Sequence, residues 1–233
     1  MNRLKNVYLE WKEMLKLIKL IKKEMTLAVS PISYIFILFG LMAFLPGYPI
    51  LLSSFFVCLG IFQSFQYARE SNDIMYTVLL PVTKSDIIKA KYIVYLIIEM
   101  SYFLLTVITV LIRMTILSEA LIYINNKLMN ANFVYLGFVL LILGMFNLIF
   151  VGGFFKTAYK FSKPFVEFVF ASFFIVCIGE TLFHIPKFMV LNDVGFKNIG
   201  IQMIFFVLGI ILFSLLTVIS YYRSIAKFNK IDL

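Results

Sequence analysis

Charge is scarce in this 233-residue chain, where 14% of residues are Asp, Glu, Lys or Arg and 62% are hydrophobic. Soluble domains carry about 25% charged residues, so an ordinary globular class is excluded and an integral membrane protein follows. Cysteine and histidine are nearly absent. Cys58 and Cys177 fall in apolar runs, where the expected state is a buried thiol acting as a small hydrophobe, with no disulfide and no metal. The single His184, in FHIPKF, has no second His or Cys nearby to share a metal and is expected in an interfacial loop. Paired glutamates, HExxH and any Ser/His/Asp cluster at membrane depth are missing as well. An intramembrane protease or acyltransferase, which needs at least two convergent polar groups, is therefore disfavoured.

What is present is a series of apolar runs at about 25 to 45, 49 to 67, 92 to 112, 133 to 153, 164 to 183 and 199 to 220. Each is close to the roughly 20 residues that cross a hydrocarbon core, so six transmembrane helices are expected. Barrel strands would alternate apolar and polar residues, and these blocks do not. Pro46, Gly47, Tyr48 and Pro49 separate the first two runs without any charge, which predicts a tight hairpin. The expected architecture is all-α integral membrane: an interfacial helix over 1–24 and a six-helix transmembrane domain over 25–233.

Lys and Arg are distributed unevenly among the connections. The segments before residue 31, at 68–91, at 152–163 and at 221–233 hold 7, 4, 3 and 3, whereas the alternate connections hold 0, 2 and 2. Cytoplasmic connections retain positive charge, so both termini are expected inside. The net charge of +9 is thus a topology signal, and the basic residues form no separate nucleic-acid-binding domain. Near the N-terminus, Leu4, Val7, Tyr8, Trp11, Met14, Leu15, Ile18, Ile21 and Met25 follow helical spacing, with Lys5, Lys12, Lys16, Lys19 and Lys23 mostly off that stripe. This predicts an amphipathic interfacial helix whose lysines face anionic headgroups. Contact of the same helix with a partner subunit is compatible with that reading. No signal-peptide cleavage is expected.

The one long polar interruption in the first half is ARESNDIMYTVLLPVTKSDIIKAKY, between the second and third runs. Pro81 stops what precedes it, Thr83 is placed to cap a helix, and Asp86 stands at the third helical position, where a carboxylate answers both the cap and the positive helix end. A short charged helix on the cytosolic side is expected. The segment suits contact with a soluble partner; the plainer reading is a solvated loop with snorkelling lysines.

A basic amphipathic N-terminal helix, a hairpin closed by LPGYP (Leu45 to Pro49), RESNDIMY (Arg69 to Tyr76), LLPVTKSDIIKAKY (Leu79 to Tyr92) and four further spans together resemble the ABC-2 type permeases of bacterial ABC exporters. The similarity extends to the small permeases that include the phenol-soluble modulin exporters. It covers the whole chain in architecture, with its specific content between residues 45 and 92. The family often has Asn where Gly47 stands. The resemblance implies a type V exporter arrangement in the bacterial plasma membrane: two six-helix permeases side by side, as a homo- or heterodimer, each resting on a cytosolic ATPase. Peptide, toxin, drug or lipid-like cargo would pass between them. In similar permeases the segment containing Glu70, Asp73, Pro81, Thr83, Lys84, Asp86, Lys89 and Lys91 is the coupling segment that docks into the ATPase. Thr83 and Asp86 would fix the helix start, and Lys84, Lys89 and Lys91 would meet acidic groups or lipid phosphates.

The chain has no GxxxxGK followed by Ser or Thr, so ATP and its Mg are expected on a separate partner, with no cofactor or metal on this chain and no catalysis by it. Gly152 and Gly153 at a span end suit helix packing or a bend. Three carboxylates fall within the spans, where a charge costs about 2.5 to 3.5 kcal/mol on insertion scales. Glu99 lies two turns into the third span and is a candidate polar group of the translocation path. Glu180, near the end of the fifth span, is a second candidate, in a region where similar permeases have short re-entrant helices. Glu167 follows Lys163 by four residues, and a local pair accounts for it. An ion-coupled secondary transporter using Glu99 is the alternative function, although the broken mid-span helices and internal symmetry of that class are not evident. The 27 Phe and 11 Met residues are compatible with greasy cargo and equally with lipid-facing packing.

Overall fold

The computed structural model describes the backbone of residues 2–157 and 160–231 and the side chains of residues 11–156 and 160–231. Among the described residues all regular structure is helical. The chain runs through α1 (Asn2–Lys23), a π-helical turn (Glu24–Ala28), α2 (Pro31–Phe36) continued by a 3-10 segment (Ile37–Phe44), α3 (Leu52–Glu70), α4 (Asp73–Val78) and α5 (Lys84–Thr115). Then follow α6 (Leu121–Ile124), α7 (Phe133–Phe146), a π turn (Asn147–Val151), α8 (Gly152–Thr157), α9 (Ser162–Leu182), a 3-10 turn (Pro186–Asn192) and α10 (Ile199–Phe228).

Among the described residues, four helices are long and apolar enough to cross a membrane: Lys84–Thr115, Phe133–Lys156, Ser162–Leu182 and Ile199–Phe228. This matches the third to sixth expected spans. The first expected span, however, is not one helix. Trp11–Ala28 and Pro31–Phe44 meet at 95°, because Pro31 forces the residue before it out of the helical region, and Val29 and Ser30 are extended. The freed Ser30 N–H donates to Ser64 Oγ on α3 at 3.0 Å. Beyond the bend, eight residues wind as 3-10 helix, whose rise of about 2.0 Å lets the 14 residues of Pro31–Phe44 reach about 25 Å. The partner α3 has 19 residues, about 28 Å. Its Ser53, Ser54 and Ser64 are buried, and Ser33 Oγ donates to Gly60 O at 2.6 Å. Packing and hydrogen bonds therefore hold this first hairpin together, and the serines that supply them make α3 less apolar than α7, while Ile37–Phe44 is as apolar as α7.

The hairpin turn is where the sequence placed it. Gly47 has φ +69°, the left-handed region that glycine, and among other residues chiefly Asn, adopts without penalty. At the turn, Arg113 is not a loop residue as the charge tally assumed. It lies buried in the last turn of α5, donates from Nη1 to Ala43 O at 2.7 Å and stacks 4.0 Å from the Tyr123 ring. The carbonyls left open at the end of the 3-10 segment are thus partly satisfied by a cation.

α7 and α10 approach most closely. A Cβ on Gly209 would lie 2.7 Å from both Gly137 Cα and Gly137 O, so the absence of side chains permits this backbone contact. The interior between α3, α5, α7 and α9 is aromatic. Phe62 stacks on Phe165 at 3.7 Å and Phe65 meets Tyr95 at 4.6 Å, while Phe146, Phe150, Phe155 and Phe168 are fully buried. Internal packing, more than lipid or cargo contact, accounts for these phenylalanines. Cys58 is buried as expected, but Cys177 is exposed on α9, because the apolar stretch around it has one face turned away from the bundle.

Candidate functional site

The connector between α3 and α5 begins at Asn72, whose φ of +51° is tolerated by its short polar side chain, and continues into the six-residue α4. Its end is the expected cap. Asp86 N donates to Thr83 Oγ1 at 3.1 Å and Thr83 N donates to Asp86 Oδ2 at 3.0 Å, the reciprocal pair of a capping box. The helix that this box starts differs from expectation. No separate short helix follows; the cap opens α5 itself, 32 residues without a break. At 1.5 Å per residue α5 is about 48 Å long, well beyond a hydrocarbon core of about 30 Å.

Behind the cap lies a buried ion cluster. Lys91 Nζ donates to Glu24 Oε2 at 2.6 Å and to Asp73 Oδ2 at 2.8 Å. Lys23 Nζ bonds Glu24 Oε1 at 3.0 Å and also meets Asp73 Oδ1. Its third donor goes to Thr77 Oγ1 at 2.5 Å. Two cations and two carboxylates thus neutralise one another at the junction of four elements: the end of α1, the π turn, α4 and α5. Burial alone would push the Asp73 carboxyl up, but the Lys91 charge and the hydrogen bonds from Lys23 and Lys91 outweigh it and hold it below the ordinary value. Single π turns recur at functional sites, and here Glu24 is the first residue of one and is buried.

The residues singled out in the connector therefore divide into two groups. Asp73 and Lys91 are buried and joined to each other, so their charges are spent inside the chain and offer no surface to a partner. Glu70, Pro81, Thr83 and Lys89 are exposed, with Lys84 and Asp86 half-buried. Lys84 Nζ donates to Ile231 O at 2.6 Å, near the end of the chain, and Asp86 also pairs with Lys16 of α1 at 3.4 Å. Around them Met75, Tyr76, Leu79 and Leu80 are exposed, giving a surface of mixed apolar and charged character.

Deeper in the bundle, Glu99 is fully buried. Its Oε2 accepts from Asn147 Nδ2 at 2.9 Å, and Asn147 also donates to Thr217 Oγ1 at 3.2 Å. The Asn147 carbonyl, at the start of the second π turn, accepts from Ser220 Oγ. Tyr92 OH sits 2.8 Å from both Ser220 Oγ and Ser224 Oγ. A polar seam therefore joins α5, α7 and α10 through the membrane-spanning region. Glu180 lies apart from it, at the opposite end from the ion cluster, where its Oε2 accepts from Met129 N at 2.9 Å. A cavity of about 900 Å³ opens at this end, lined by Asn126, Asn130, His184, Asn192, Asp193 and Lys197 among others. His184 is exposed, against Phe183. Lys163 and Glu167 lie 4.0 Å apart and exposed. Among the described residues no cluster of His, Cys, Asp or Glu is arranged to hold a metal.

Glu24, Thr77 and Asn147 were not singled out from the sequence, and Lys23, expected to face headgroups, is instead bonded to Glu24 and Asp73. Asn147 left a signal, as the lone amide within the fourth apolar run, and Glu24 left a weaker one, as a carboxylate at the edge of the first.

No curated protein and no solved structure matches the chain. Residues 14–229, which include α3 to α10, the capped connector and the ion cluster, match the family described as ABC-2 family transporter protein. A helical multi-pass membrane chain matched over nearly its whole length belongs to that family: it is an ABC-2 family transporter protein, the membrane permease subunit of an ABC transporter.

Proposed function

We propose that this permease exports amphipathic or hydrophobic cargo (peptide, toxin or drug) from a bacterial cell. Two such chains would form the path, and a separate cytosolic ATPase would supply the energy, binding both ATP and Mg. The N- and C-termini lie in the cytoplasm, on the side where lysine and arginine are concentrated. The ATPase docks on the exposed part of the connector, around Glu70 and Lys89, with the half-buried Lys84 and the apolar Tyr76 and Leu79 beside them.

The observation that carries this reading is the unbroken α5. A push on the capped end at Thr83 and Asp86 acts on the same rigid rod that carries Glu99 and the polar seam, because one helix contains both. The ion cluster passes that movement to α1 and the first hairpin, since Lys91 of α5 is bonded to Glu24 at the bend. Closure of the ATPase on ATP would thereby tilt α5 and the hairpin together.

Copurification with the ATPase subunit tests the docking surface. Reversing charge at Lys84 and Lys89 should release the ATPase while the permease stays folded; unchanged attachment would end the coupling assignment. Reconstituted vesicles test the energy source. Uphill cargo movement driven by an ion gradient, without ATPase, would favour the ion-coupled reading through Glu99 instead.

A further inference from the structure

A groove of about 670 Å³ runs between α1 and the stretch just before the α5 cap. Its rim carries Lys12, Lys16, Lys19 and Lys23, and no carboxylate belongs to the lining. The spacing of four, three and four residues puts these lysines on one face of the helix. Lys16 reaches out to Asp86 and Lys23 is committed to the ion cluster, whereas among the described residues Lys12 and Lys19 have no acidic partner. The floor is apolar, made by Leu20 of α1 with Leu80, Pro81 and Val82 of the connector.

Two features must be answered by one occupant. Unneutralised lysines call for an anion, and a free inorganic anion would leave the apolar floor facing water. An apolar peptide would answer the floor and leave the lysines unpaired. An amphiphile with an anionic head answers both. The neighbouring residues say which one is at hand: Trp11, Met14, Leu15 and Ile18 of the same helix are exposed, as an interfacial helix requires, so the groove opens beside the headgroup layer of the leaflet on which α1 lies. A volume of this size suits a small ligand or a headgroup with the first part of its chains. We propose that the groove is a binding site for one anionic phospholipid of that leaflet, its phosphate held by Lys12 and Lys19 and its glycerol and upper acyl carbons resting on Leu20, Leu80, Pro81 and Val82. The site stands on the groove alone and holds whether or not the ATPase docks next to it. It would make the connector sensitive to the lipid around it, because one wall of the groove ends at Val82, four residues before Asp86 of the cap, and Lys16 of the other wall is paired with Asp86.

The test uses the full chain in nanodiscs of phosphatidylcholine and phosphatidylglycerol, released into mild detergent and weighed by native mass spectrometry. The wild-type chain should retain one phosphatidylglycerol that resists further washing. Lys12→Gln with Lys19→Gln should weaken retention by about fivefold per lysine, while Lys22→Gln, exposed on the same helix and outside the groove, should leave it unchanged. Leu80→Glu, with every lysine intact, should expel the lipid by placing a carboxylate in the floor, which covers the case in which the lysine variant folds poorly. Equal retention by the double lysine variant, or equal loss in Lys22→Gln, would overturn the site in favour of diffuse surface charge. Displacement of the lipid by inorganic phosphate would overturn the lipid in favour of a free anion. Displacement on adding the ATPase subunit would overturn it in favour of a protein interface.

Discussion

Lys91 and Glu24 are 67 positions apart in the chain and 2.6 Å apart in the structure, both almost wholly buried. Their contact fastens the bend of the first hairpin to the head of α5, and Asp73 and Lys23 complete it on either side. A charge pair of this kind is costly to assemble and more costly to break, since removing one member leaves the other uncompensated.

Lys91→Met should therefore destabilise the permease by about 3 to 5 kcal/mol, read as a lowered thermal midpoint in detergent. The combination with Glu24→Gln should recover part of the loss, because the stranded carboxylate is then gone. Additive effects of the two substitutions would show that they do not interact.

Acid should loosen the same junction. Asp73 holds its proton less readily folded than unfolded, so its contribution is complete above the ordinary carboxylate range, near pH 4. It fades as pH falls through the lower folded value. Thermal midpoints measured from neutral pH downward should fall across that window, and Asp73→Asn should be less stable at neutral pH and flatter in its pH dependence.

Loss of the helix cap should be smaller and more local. Thr83→Ala removes the acceptor for Asp86 N and should cost about 1 kcal/mol. Hydrogen exchange should rise in the first turn of α5 and stay unchanged at its far end, since fraying does not propagate along a packed helix.

Glu99→Gln should preserve assembly, because an amide oxygen still accepts from Asn147. Glu99→Leu should cost about 1 to 3 kcal/mol by leaving a buried amide short of a partner. ATP-driven export by Glu99→Gln at the wild-type rate would agree with the proposed energy source; its loss with assembly intact would favour a proton carried by Glu99.

Gly209→Ala should separate α7 from α10. The added Cβ meets backbone of Gly137 at 2.7 Å, which no side-chain movement relieves, and overpacking of this kind costs about 1 to 3 kcal/mol. A lowered thermal midpoint, with a further drop for Gly209→Val, checks it.

The turn at Gly47 and the cap at Thr83 were legible because each depends on residues within three or four positions of one another. The length of α5 was not. The lysines at its start suggested a polar helix separate from the span that follows, yet Lys91 is neutralised by Glu24 and Asp73, so the helix continues inward without an exposed charge. The first span misled for the related reason that its hydropathy is continuous, while Pro31 and the serines of α3 impose a right-angled bend. Among the coupling residues, Thr83 and Asp86 could be paired from spacing; the burial of Asp73 and Lys91 depended on partners elsewhere in the chain.

By itself the amino-acid sequence determined that this protein is helical and lives in a membrane, where its hairpin turns and where its longest helix starts. Hydropathy, turn conformation and capping are set by neighbours along the chain, so they survive without knowledge of the fold. Which charges are hidden, how the first hairpin bends and which glycines touch were decided only by the tertiary structure. Each is a contact between residues tens of positions apart, and its free energy exists only once packing has excluded water from between them.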